Sequence, residues 1–127
     1  MKSGLYRNTE SVLGRKLHVL SCRLGEDVHV SIYGGDRAHI GAVSILSESG
    51  EIQTVCFPGH RDDAVSVLWC ERLKEFGVHA AVVEAGIHYN EFSKEGIAAV
   101  LAACDGLWND FRQAFLEEHP EIGGIYL

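Results

Sequence analysis

From residue 16 onward, hydrophobic and polar positions alternate in short blocks. In KLHVLSCRL (16–24), Leu17 and Val19 share one side, and His18, Leu20 and Cys22 the other. After the turn Leu24-Gly25-Glu26-Asp27, VHVSIYG (28–34) puts Val28, Val30 and Ile32 on one side against His29, Ser31 and Tyr33. A period of two with one apolar side is the pattern of a strand covered on one face. AHIGAVSIL (38–46) and EIQTVCF (51–57), separated by the polar turn SESG, read as a third and fourth strand. The period then lengthens. Val65, Leu68, Trp69, Leu73 and Phe76 recur at helical spacing, so a helix is expected over 61–76, stopped by Gly77. VHAAVVEAG (78–86) reads as a fifth strand. Ser93 is a plausible N-cap for a last helix over 94–118, with Ile97, Val100, Leu101, Cys104, Leu107, Trp108, Phe111 and Phe115 on one stripe. Residues 1–15 read as a loose arm with one helical turn at most, which leaves 16–127 as a single domain.

The expected order is β-β-β-β-α-β-α. It describes an α+β fold, with two helices on one side of a mostly antiparallel sheet, a four-stranded meander plus a fifth strand. The second sheet face carries small or polar positions such as Ser31 and Gly41. A partner subunit over that face would make the chain a homo-oligomer, dimer or higher.

Charge and composition narrow the function classes. With 11 Lys and Arg against 18 Asp and Glu, the formal net charge is −7. No dense basic stripe is present, so nucleic acid and anionic membranes are poor partners. A small phosphorylated ligand needs only a local anion pocket and stays open. No apolar run approaches the ~18 residues of a membrane span, and the polar N-terminus lacks the apolar core of a signal peptide; a cytoplasmic protein is expected. Four cysteines, Cys22, Cys56, Cys70 and Cys104, form no CxxC pair and read as small core residues.

Three segments carry more than turn chemistry: GGDRAHIG (34–41), PGHRDD (58–63) and AGIHYNEF (85–92). In the first, Gly34 and Gly35 permit close backbone approach, and Asp36 can close an Asx turn. Arg37 and His39 exceed what a hairpin needs. His39 shares a face with Gly41, whose missing side chain leaves space for a ligand ring or another backbone. In the second, Gly59 leads into a helix whose first turn has free N–H groups. His60 and Arg61 would add donors for a phosphate or carboxylate. In the third, His88, Tyr89 and Asn90 offer donors, acceptors and a flat aromatic wall. Each loop also has a plain structural explanation: a bulged hairpin, acids at a helix start, and local capping with a packed tyrosine.

YGGDRAHIGAV, PGHRDD before an amphipathic helix, and VVEAGIHYNEFSKEGI, in this order and spacing, resemble the LpdD-like family over roughly residues 16–118. Members of that family are regarded as chaperones for prenylated flavin mononucleotide that accompany UbiD-type decarboxylases. Their fold is similar to that of small proteasome-assembly chaperones. The resemblance implies a non-catalytic protein that holds prenylated FMN, or FMN, and helps mature a UbiD-type aromatic-acid decarboxylase. The cofactor-binding residues would be Gly35, Asp36, Arg37, His39, Gly41, Gly59, His60, Arg61, His88, Tyr89 and Asn90. The ring would lie over Gly41 against Tyr89, and the phosphate at Gly59 with Arg61 or against Arg37.

Two other classes remain. His39, His60 and His88 could supply three imidazoles to a catalytic metal, with Asp36, Asp62 or Glu84 as a further ligand or base. Alternatively the chain is an assembly module without a ligand, in which case Arg37, His39, His60 and His88 are replaceable.

Overall fold

The computed structural model describes residues 4–59, 61–91 and 93–117. His60, and the end of the last expected helix at 118, lie outside the described residues. Among the described residues the strands are β1 (Leu5–Val12), β2 (Arg15–Leu24), β3 (Asp27–Gly35), β4 (Ala42–Leu46), β5 (Ile52–Cys56) and β6 (Ala81–His88). Helix α1 spans Asp63–Phe76 and α2 spans Lys94–Phe111, continuing as a π-helical turn over Arg112–Leu116.

Two expectations are corrected here. Residues 5–12 form a strand, not a loose arm: β1 pairs antiparallel with β2 from Leu5↔Cys22 to Val12↔Arg15. The turn between them has φ of 54° at Leu13 and 74° at Gly14. Positive φ at both central residues suits a tight hairpin that follows the strand twist. On β1, Tyr6 meets Phe111 and Phe115 at centroid distances of 5.3 and 5.8 Å. The second correction concerns the meander. The sheet order is β1-β2-β3-β6-β4-β5. β6 is inserted between β3 and β4, parallel to the first and antiparallel to the second. GGDRAHIG is therefore not a hairpin: it carries the chain from β3 past the end of β6 to β4, and the third strand begins only at Ala42.

Both helices cover one sheet face. α1 buries Val65, Ser66, Trp69, Cys70 and Leu73, and α2 buries Val100, Cys104, Leu107, Trp108 and Phe111. Trp69 and Trp108 cross edge to face at 5.2 Å, the favoured arrangement for aromatic quadrupoles. The expected helical stripes are wider than the buried ones: Leu68 and Phe76 on α1, and Ile97 and Leu101 on α2, stay substantially exposed. The opposite sheet face carries His18, Leu20, His29, Ser31, Tyr33 and Glu84, and no described helix covers it.

This topology positions the three loops. β3 and β6 run parallel and finish side by side, with Gly35 opposite His88. β4 begins at the same end, where Ala42 lies between Ala85 and Cys56. The segments after β3, after β5 and after β6 thus emerge together at one end of the sheet.

Candidate functional site

Asp62 joins the three loops. Its Oδ1 accepts from the Ile87 N–H at 2.9 Å, and its Oδ2 from His39 Nε2 at 3.2 Å. It occupies the N-cap position of α1 but makes no side-chain cap there; its carboxylate is spent on the neighbouring loops instead. The residue is 8% exposed, and a buried carboxylate is tolerated when its lone pairs meet such donors. Gly41 makes room for this group, because a Cβ there would collide with the Asp62 carboxylate. The space expected for a ligand ring over Gly41 is therefore filled by Asp62, which corrects that placement. His39 and Gly41 do face a common side, and what they face is Asp62.

The other expected residues divide in two. Gly35, Asp36, Tyr89 and Asn90 hold loops together. Gly35 has φ of 85°, and its backbone lies against the His88 carbonyl, where a side chain would not fit. Asp36 accepts from the Asn90 N–H at 2.9 Å and from Arg15 Nε at 2.7 Å. The Asn90 N–H, with Arg15 beside it, holds the Asp36 carboxyl below the usual carboxylate range. Tyr89 is buried and donates its hydroxyl to the Val12 carbonyl at 2.9 Å. It is a packed strut, not an accessible wall, and burial raises its pKa. Asn90 Oδ1 meets His88 Nε2 at 3.1 Å.

The second group comprises two exposed arginines and a pair of histidine rings. Arg37 is exposed and has no ion pair among the described residues. Arg61 is exposed too, but its Nε pairs with Asp63 at 3.3 Å. The His39 and His88 rings are 6.3 Å apart, edge to face.

Three hollows surround this end of the sheet. One, lined by Arg15, Asp36, Asn90, Glu91 and Glu95, is rich in carboxylates and unsuited to a phosphate. A second lies between the helices, about 380 Å³, with Gly59, Arg61, His88, Ile97 and Leu101 among its walls. The third, about 360 Å³, opens on the uncovered sheet face. Leu20 and Tyr33 form its apolar side, Ser31 and Glu84 its polar side, and Ala38, His39 and Ile40 its roof. The roof lies close because Gly86 has no side chain: a Cβ there would collide with the His39 carbonyl oxygen. Apolar walls with a few placed polar groups are the usual make-up of a small-molecule site.

Residues 12–116 match the family described as prenylated flavin chaperone LpdD-like domain. The chain belongs to this family. Protein LpdD of Lactiplantibacillus plantarum is 29% identical over 117 residues, which cover 88% of this chain and 85% of that protein. For an LpdD-like chaperone, the hollow on the uncovered face presents residues that motif reading passed over. Leu20 and Tyr33 look like ordinary strand positions in sequence, Ser31 stands out only as a polar position on the second face, and Gly86 only as part of AGIHYNEF. Glu84, which the sequence offers only as a metal ligand or base, is a charge in the middle of the otherwise apolar VVEAG. As for a metal centre, no group of three His, Cys, Asp or Glu among the described residues is placed to hold an ion.

Proposed function

We propose that this chain binds prenylated FMN, or FMN, in the hollow beneath Ala38–Ile40 and delivers it to a UbiD-type apo-decarboxylase in the cytoplasm. It binds and releases its cargo without turnover. The observation that carries the reading is that Arg37, the residue immediately before the Ala38–Ile40 roof, is an exposed cation that no carboxylate neutralises among the described residues. Guanidinium is the side chain best matched to phosphate oxygens. The aspartates that would repel a phosphate are already engaged: Asp36 with Arg15, and Asp62 with His39. Leu20, Tyr33 and Ile40 supply apolar contact for the ring system. His39, fixed by Asp62, holds the roof over it. Ile45 and Val55, on β4 and β5, are exposed apolar residues through which the chain self-associates, as a dimer or higher homo-oligomer.

The hollow between the helices is the second reading for the ring. Its favouring observation is the apolar lining from Ile87, Ile97, Val100 and Leu101, with Arg61 beside Gly59. Against it, Asp63 partly neutralises Arg61.

Transfer tests the function. Chaperone loaded with prenylated FMN is mixed anaerobically with an apo-UbiD-type decarboxylase, and decarboxylation is followed over time. Faster activation than with free cofactor is expected, with Arg37→Ala reducing the advantage and Arg61→Ala leaving it. The opposite pattern moves the ring to the hollow between the helices. Equal rates with and without chaperone would remove the delivery role.

A further inference from the structure

Glu84 lies in the middle of β6, on the sheet face that no described helix covers, and its side chain is 23% exposed. A carboxylate so placed requires partners. Among the described residues it has two, and both bind the same oxygen. His29 Nε2 donates to Oε1 at 2.5 Å, and Ser31 Oγ donates to Oε1 at 3.0 Å. Oε2 accepts no hydrogen bond from the described residues. The side chain is thus held from one oxygen and turned toward the hollow it lines with Leu20, Tyr33 and Ile40. A carboxylate oxygen is an acceptor only, so it selects a ligand that brings an N–H or O–H.

We infer that Glu84 is a specificity residue, whose Oε2 accepts the imide N–H of the flavin's pyrimidine ring. This rests on the chaperone reading above. The flavin ring system carries one such N–H, at N3, between two carbonyls, while its ring faces and dimethylbenzene end suit apolar contact. The hollow has the matching division: a polar side at Ser31 and Glu84, and apolar sides at Leu20, Tyr33 and Ile40. Tyr33 is backed by His18, stacked at 5.0 Å and 28°, so the aromatic wall is supported from behind. It takes the part expected of Tyr89, which is packed away. His29 and Ser31 are positioning residues that fix the Glu84 rotamer.

The test compares anaerobic binding of prenylated FMN with that of the same compound methylated at N3, which has no N–H to give. The unaltered protein should prefer the parent roughly tenfold or more, the scale of losing a hydrogen bond to a charged group. In Glu84→Leu, a residue of like size, the ratio should fall to near one. A preference set by shape alone would survive that substitution. Each ratio is taken on one protein, so partial loss of folded material cancels. Equal binding of the two compounds by the unaltered protein, or a preference kept in Glu84→Leu, overturns the role of Glu84 and leaves the chaperone reading standing. Failure of the unaltered protein to bind either compound overturns both.

Discussion

Asp62→Ala removes the carboxylate on which three loops converge. It leaves the Ile87 N–H without its partner and removes the contact of His39 Nε2 with the carboxylate. An orphaned buried N–H costs about 1–3 kcal/mol, and a lost hydrogen bond to a carboxylate a similar amount. Relief of a buried charge offsets part of this, so a net loss of about 2–4 kcal/mol is expected. Against a usual total of about 5–15 kcal/mol for a domain, that is a large fraction. With a urea slope of about 2 kcal/mol/M, the midpoint falls by about 1–2 M. Gly41→Ala should also destabilise, by about 1–3 kcal/mol, because its methyl collides with the same carboxylate. In the Asp62→Ala background the carboxylate is gone and only the contact with the Cβ of residue 62, at 3.1 Å, remains, so the added methyl should cost clearly less than in the unaltered protein. The assay is urea unfolding followed by far-UV circular dichroism on the four proteins of the cycle. Equal costs of Gly41→Ala in both backgrounds, or an unchanged midpoint for Asp62→Ala, would refute the three-loop junction.

Further outcomes follow from individual contacts. Gly86→Ala should be among the most damaging single-methyl changes, since its Cβ meets backbone at the His39 carbonyl, which cannot swing away; thermal melting would register it as a loss larger than that of Gly41→Ala. The depressed Asp36 carboxyl stabilises the fold above the ordinary carboxylate pKa, and that contribution disappears as pH falls through the lower folded value. Asp36→Asn should therefore flatten the acid limb of stability against pH, measured by urea midpoints. Burial pushes the thiols of Cys70 and Cys104 up to about 11 and about 12, whereas Cys56 is exposed. Native labelling with iodoacetamide, read by mass spectrometry, should modify Cys56 well before the two helix cysteines.

Much of the fold is legible in the pattern of the chain. β2 and β3 lie within a residue of where their alternation places them, and α1 begins only two residues late. Gly77 ends α1 with φ of 106°, as its position suggests. β1 is not legible because it is an edge strand with mostly polar positions; only Tyr6 and Val12 reach the core. The insertion of β6 between β3 and β4 is hidden for another reason. A period of two identifies a strand and its buried side, not its neighbours, and pairing across more than fifty residues leaves no local mark. That insertion turns the expected hairpin at 34–41 into a roof. The site follows suit. The three loops named from sequence do meet, but Asp36, Gly41 and Tyr89 serve the framework, while Tyr33 and Glu84 face the hollow. Of the cysteines, Cys70 and Cys104 are buried as expected, and Cys56 is exposed because β5 is the other sheet edge.

The central claim is that the hollow under Ala38–Ile40 holds prenylated FMN, with Arg37 on its phosphate. Anaerobic titration of the purified protein and of Arg37→Ala, read by flavin absorbance, tests it most directly. Saturation at one flavin per chain is expected, with affinity falling roughly tenfold in Arg37→Ala, on the scale of a charge-assisted contact. The account would be contradicted by the absence of saturable binding, or by an affinity unchanged in Arg37→Ala.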